Sequence, residues 1–248
     1  MKRLVLSIFC FLAYSTVIFS QINTNRVMLM GRNALYYEDY ILAIQRFNSV
    51  ISAKPYLAEP YFYRGLAKFY LEDYAGAETD CTLALNKRPY TVQYYTLRAL
   101  CRINMEMYDS AVSDYREALH QNPIERNNWH NMVLCLMELE RYEEADLALD
   151  SMMLLWPRES SQCTMKAQVS LAKQDTVLAE EWVDSALVLN NYDGNAWSMK
   201  ASMYINREEY KDAEAALDKA IVQKPRLTGL YINRALTRFQ QNNIRGAM

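Results

Sequence analysis

WSMKASMYINREEYKDAEAALDKAIVQKP, residues 197–225, holds the pattern from which the fold can be read. Counting outward from its Ala213, an alanine recurs every 34 residues: Ala43, Ala77, Ala111, Ala145, Ala179 and Ala247. The register does not slip between the first and the last. Twelve places after the alanine stands a proline, at Pro55, Pro89, Pro123, Pro157 and Pro225, with Asn191 in the fifth repeat. Three places before it stands an aromatic, at Tyr40, Tyr74, Tyr108, Tyr142 and Tyr210, replaced by Thr176 and Ile244 in repeats five and seven. Twelve places before it the residue is small, at Gly31, Gly65, Ala99, Ala167, Ala201 and Ala235, with Val133 the exception.

A fixed period of this length is the mark of a helix–turn–helix array, in which each repeat buries its apolar face only against its neighbours. Small residues at facing points let two antiparallel helices approach closely. The tyrosine fills the turn between them. The proline ends the second helix, because it has no N–H to donate and clashes with the preceding turn. The expectation is an all-α chain, a right-handed superhelical solenoid of antiparallel helix pairs. Its repeats start near residues 24, 58, 92, 126, 160, 194 and 228, the last one incomplete.

The sixth repeat resembles the tetratricopeptide repeat most clearly. Trp197, Lys200, Ala201, Tyr204, Ala213, Leu217 and Pro225 fall where that family has W-x2-L-G-x2-Y, A-x3-F and P, and only Lys200 is out of character. The resemblance covers residues 24 to 248. The family's glycine in the turn between the helices is replaced by Glu38, Glu72, Glu106, Glu140 and Glu208, which bears on local turn geometry.

The resemblance implies a non-enzymatic scaffold that binds a peptide or partner protein in a concave groove lined by the first helix of each repeat. On that basis the groove would be lined by Met28, Arg32, Phe62, Leu66, Phe69, Thr96, Leu100, Ile103, His130, Leu134 and Met137. It would continue through the polar Thr164, Gln168, Ser198 and Ser202. An apolar patch of that kind marks a partner site, unless the leucines are covered by the neighbouring repeat. Some family members grip a terminal carboxylate with Lys, Asn and Arg. The matching places here hold Met28, Arg32, Tyr63, Gln93 and Leu97, so that clamp is absent.

Comparison of the repeats with one another predicts internal ion pairs. Repeat two carries Arg64 and Lys68 four apart on its first helix, and repeat three carries Arg98 and Arg102. Both carry an aspartate on the second helix, Asp80 and Asp114. Where the cations are missing, in repeat four, the aspartate is missing too: Met132, Leu136 and Ala148 take the three places. Structural pairing explains the matched aspartates better than an anion site does. In repeat seven Arg234 and Arg238 recur, and their aspartate would fall two residues past Met248. The expectation is that the chain continues, with an acidic residue there.

Lys2 and Arg3 precede an apolar run from Leu4 to Phe19, followed by Ser20 and Gln21. The run falls short of the ~20 residues of a membrane span. Residues 1–20 therefore read as a cleaved secretory signal, and 21–248 as one exported domain, periplasmic or extracellular. Phe9 is too large to precede a lipidated Cys10. After cleavage Cys81, Cys101, Cys135 and Cys163 remain. Cys101 and Cys135 hold equivalent places in neighbouring repeats, too far apart to bridge. Cys81 and Cys101 are within reach of one another. The competing reading is four small buried apolar residues.

Formal net charge is −2, so nothing suggests a nucleic-acid footprint. The two histidines, His120 and His130, lack ligand partners at helical spacing, so no metal is expected. No cofactor is expected, because no phosphate loop, nucleophile elbow or zinc motif is present. Two further readings place a membrane span with a signalling domain, or a catalytic domain, beyond Met248. In the first of these the array is the extracytoplasmic sensory or regulatory half of a longer protein.

Overall fold

The structure, a computed structural model, describes residues 23–241. The signal segment and Ala247 lie outside them. The described residues form thirteen α-helices and no strand. In chain order they are α1 Thr24–Tyr36, α2 Tyr40–Ala53, α3 Glu59–Tyr70, α4 Tyr74–Lys87, α5 Val92–Asn104, α6 Tyr108–Gln121 and α7 Arg126–Glu138. They continue with α8 Tyr142–Leu155, α9 Ser160–Ala172, α10 Thr176–Leu189, α11 Gly194–Asn206, α12 Tyr210–Gln223 and α13 Thr228–Gln240. The chain divides into two compact bodies, Met1–Ser110 and Ala111–Met248. The N-terminal body holds α1 to α5, and the C-terminal body holds α7 to α13 with most of α6.

Within each body the helices alternate as first and second members of the repeats, and their turns reuse a small set of devices. Between first and second helices, Glu38, Glu72, Glu106, Glu140, Gln174 and Glu208 all adopt positive φ, between 56° and 63°. The turn thus keeps the left-handed geometry that a glycine would take, although it holds a side chain that costs about 1–2 kcal/mol there. An aspartate next in sequence caps several second helices: Asp39 accepts from the Leu42 N–H, Asp73 from Gly76 and Asp175 from Leu178. Second helices end two residues before the proline, at Ala53, Lys87, Gln121, Leu155 and Gln223. The aromatic that follows then latches the loop. Tyr61 donates to the Pro55 carbonyl, Trp129 to Pro123, Trp197 to Asn191 and Tyr231 to Pro225, at 3.1, 2.8, 2.8 and 3.0 Å.

The described period-34 alanines sit in the core. Ala43, Ala77, Ala111, Ala145, Ala179 and Ala213 are all fully buried. In the N-terminal body Ala43 packs with Met28, Phe47, Val50 and Ala67, and a second cluster joins Ala77, Cys81, Leu97 and Cys101. A Cβ on Gly31 would stand 2.6 Å from the Phe47 ring, and one on Gly65 would stand 3.2 Å from the Ala77 carbonyl. A side chain at Gly31 would force the Phe47 ring to shift, and one at Gly65 would be tight against the Ala77 carbonyl. In the C-terminal body Ala179 packs with Cys163, Ala167, Val183 and Ala196, and Leu217 packs with Ala201, Ala220 and Leu230.

Candidate functional site

The first helices carry the residues expected to line a groove, and each body presents its own set. In the N-terminal body Met28 is buried in the core beside Phe47. Arg32 is exposed, stands 3.6 Å from Glu59, and lies 5.9 Å from the centre of the Tyr63 ring. Phe62 is half-buried against Tyr94 and Tyr63, with ring centres 4.9 and 5.3 Å away. Leu66 and Phe69 are half-buried on the Ala77–Cys101 cluster. Thr96, Leu100 and Ile103 are also half-buried.

In the C-terminal body His130 is exposed, Leu134 is 44% exposed and Met137 is half-buried. Beyond them Gln168 and Ser202 are exposed, whereas Thr164 is buried and donates to the Ser160 carbonyl and to Asp193. In each body the first helices thus carry partly covered apolar side chains, and Leu134 is the most open leucine of the expected set.

The charged pairs follow from how much water each group retains. Asp80 is buried. Its carboxylate accepts from Arg64 Nε at 2.9 Å and Nη2 at 2.5 Å, and pairs with Lys68 Nζ at 2.9 Å. Arg64 also donates to Asn48 at 2.7 Å. Arg98, in the N-terminal body, donates to Thr82 at 3.1 Å, and Arg102 reaches Glu78 at 2.8 Å and the Ser110 carbonyl. Asp114 belongs to the C-terminal body and is buried. Met132, Leu136 and Ala148 are buried as well, an apolar set in the places that hold charges elsewhere.

The C-terminal body adds ion pairs that sequence reasoning missed. Lys166, buried, bonds Asp146 and Asp150 at 2.5 and 2.6 Å. Lys200, the residue out of character for the family, bonds Glu180 and Asp184 at 3.0 and 2.7 Å. Arg234 bonds Asp218 at 2.7 Å. In each case the cation reaches back sixteen residues, and in the two lysines also twenty, to the second helix of the preceding repeat. Burial alone disfavours the Lys200 ammonium, but its bonds to Asp184 and Glu180 outweigh that and raise its pKa. The hydrogen bond from Arg207, aided by that from Lys200, holds the Glu180 carboxyl down at about 2.

An open cleft of about 610 Å³ lies at the loop edge of the C-terminal body, lined by Ser160, Tyr192, Asp193 and Lys224 among others. Of its two carboxylates, Glu159 pairs with Arg126 at 2.5 Å and Asp193 is held by neighbouring donors. Asp193 accepts from the hydroxyls of Ser160 and Thr164 and from the N–H groups of Asn195 and Ala196. Burial disfavours its charge, yet these bonds keep its carboxyl below the usual range. Asp193 thereby caps the start of α11. Cys81 hydrogen-bonds Cys101 inside the core, which pushes the Cys81 thiol far up. All four described cysteines are free and buried. Among the described residues no group of three His, Cys, Asp or Glu is placed to hold a metal ion, and no helix is long and apolar enough to cross a membrane.

The tetratricopeptide repeat family model matches residues 92–124 and 194–225. Among solved structures, a tetratricopeptide repeat protein from Parabacteroides merdae ATCC 43184 superposes with a TM-score of 0.74 at 15% identity, over 90% of this chain and 89% of its own. A MamA protein gives 0.64 at 14% identity, over 68% and 92%. PilF of Pseudomonas aeruginosa gives 0.62 at 20% identity, over 77% and 86%. At these identities the likeness is one of fold. A search of curated proteins found no match.

Proposed function

We propose that this chain, which belongs to the tetratricopeptide-repeat family, is a non-enzymatic scaffold that holds a peptide or partner protein on the first-helix face of its repeats. A helix-pair array offers a long surface and few enclosed cavities, which suits binding rather than chemistry. The observation that carries the reading is the state of that face. Leu134 is 44% exposed beside the exposed His130, on a helix that buries Val133 fully and Leu136 nearly so. An extended segment or an amphipathic helix covering such residues would bury apolar area at roughly 25 cal/mol per Å². The basic start and the apolar run from Leu4 to Phe19 support export to the periplasm or the cell exterior.

Substituting His130→Glu together with Leu134→Glu tests the face, because both side chains are exposed and the fold should survive. Loss of a co-purifying partner, with an unchanged melting temperature, is the expected result. Retention of every partner by the folded variant would reject the face as the binding surface. Intact mass of the mature protein tests export: loss of residues 1–20 is expected, and an uncut chain would refute it.

A further inference from the structure

We propose that the α1–α2 and α3–α4 turns of the N-terminal body form a docking edge for a basic, Arg- or Lys-rich extended segment of a partner protein. The edge lies at the turns rather than in the middle of the first-helix face, so it stands or falls separately from the His130–Leu134 surface.

The first observation is a set of exposed rings that the repeat does not need. Tyr36 is 81% exposed and Tyr37 77%, their rings edge to face at 5.2 Å. Tyr70 is 54% exposed and stacks on Tyr40 at 5.1 Å with an interplanar angle of 18°. Phe69 and Tyr74 continue the aromatic surface, 5.5 Å apart. In the later repeats the place of Tyr36 and Tyr70 is held by Asn104, Glu138, Ala172 and Asn206, and the place of Tyr37 by Leu71, Met105, Leu139, Lys173 and Arg207. The same turn closes over all of these, so the tyrosines are not there to close it.

The second observation is charge. Glu38, Asp39, Glu72 and Asp73 stand exposed in the same two turns. Asp39 and Asp73 cap the helices that follow. Among the described residues no cation pairs with Glu38 or Glu72, and none lies over Tyr36, Tyr37 or Tyr70. Burial, the Glu38 charge and the neighbouring Tyr70 all raise the Tyr40 phenol, which keeps that ring neutral. Neutral π faces beside unpaired carboxylates are what guanidinium and ammonium groups bind. The same chemistry recurs within the N-terminal body, where Lys87 lies 4.9 Å from the Tyr61 ring centre.

The spacing selects an extended ligand. The axes of packed helices lie about 8–10 Å apart. A polyproline II segment repeats its face every three residues, or about 9 Å. Cations three residues apart would therefore meet successive turns.

The test uses the full chain and a peptide of three Arg-Pro-Pro repeats, with Glu-Pro-Pro as its control, titrated by fluorescence anisotropy at low salt. Saturable binding of the first peptide and none of the second is expected. Tyr36→Ala with Tyr37→Ala should weaken binding about four- to twenty-five-fold, roughly two- to fivefold per ring. Glu38→Gln with Glu72→Gln should weaken it about two- to tenfold. Gln174 already occupies the same left-handed position, at φ 63°, so glutamine fits that turn. Glu140→Gln with Glu208→Gln, which alters equivalent turns of the C-terminal body that lack the exposed tyrosine pair, should leave affinity unchanged. Absence of saturable binding overturns the proposal. So does unchanged affinity in the tyrosine variant, and so does an equal loss in the Glu140/Glu208 variant, which would show only attraction to an acidic protein.

Discussion

Replacing Asp80 by alanine isolates one buried charge and shows how the array tolerates it. The carboxylate is 1% exposed and takes two bonds from Arg64 and one from Lys68. Deleting one partner of a buried pair costs about 3–5 kcal/mol, because the other is left uncompensated. Arg64 and Lys68 retain 19% and 23% of their side-chain exposure, so they can turn partly to water, and the lower end, about 3 kcal/mol, is expected. For a chain of this size that is a fall of about 6–12 °C in melting temperature. Repeat four indicates the remedy. Its Met132, Leu136 and Ala148 occupy the equivalent places and are buried. The triple variant Arg64→Met, Lys68→Leu, Asp80→Ala should therefore recover most of the loss, since a packed apolar set replaces a buried ion pair at little cost. Urea unfolding followed by far-UV circular dichroism would compare the two variants with the parent. A loss below about 1 kcal/mol for Asp80→Ala, or a triple variant no more stable than the single one, would refute the assignment.

Other predictions follow from the same packing and charge. The Glu180 carboxyl, held at about 2 chiefly by Arg207, has its pKa depressed in the folded state, so its contribution is full above the ordinary carboxylate range and fades as pH falls toward 2. Arg207→Ala should move its titration upward in carbon-detected NMR and raise the pH of acid unfolding; an unmoved titration would disprove the pairing. Burial lifts the Cys135 thiol to about 11 and raises that of Cys163, while the bond to Cys101 raises Cys81. Maleimide should accordingly label none of these three cysteines in the native protein at neutral pH, and all of them in denaturant, by intact mass. Gly31→Ala should destabilise by about 1–2 kcal/mol, because its Cβ would meet the buried Phe47 ring at 2.6 Å. Gly229→Ala, with nothing within 4 Å, should instead stabilise by up to about 1 kcal/mol, and equal effects at the two sites would contradict the packing account.

The fold was legible because the repeat puts one packing problem before the reader several times. A buried alanine at period 34 tolerates no larger residue at the helix crossing, so it stays fixed while surface positions drift. The turn glutamates were harder to interpret. Nothing in the residue type announces positive φ, and only their place in the register, where the family has glycine, gave a hint. The rearward ion pairs were equally present in the sequence, as Asp150 with Lys166, Asp184 with Lys200 and Asp218 with Arg234, each sixteen apart at period 34. The Arg64–Asp80 pattern points forward within one repeat, whereas these cations turn back to the preceding helix. Burial on the first-helix face was the least legible feature. Met28 and Thr164 share a register position with the exposed His130, yet local neighbours bury them: Phe47 beside Met28, and Asp193 above Thr164.

Site-specific photocrosslinking in the native host tests the scaffold claim most directly. A benzoylphenylalanine at Leu134 samples the first-helix face, and one at Leu147, 66% exposed on the second helix α8, samples a control surface. The account predicts a discrete crosslinked protein from position 134 and none from 147. Crosslinks of equal yield from both positions, or from 147 alone, would contradict it.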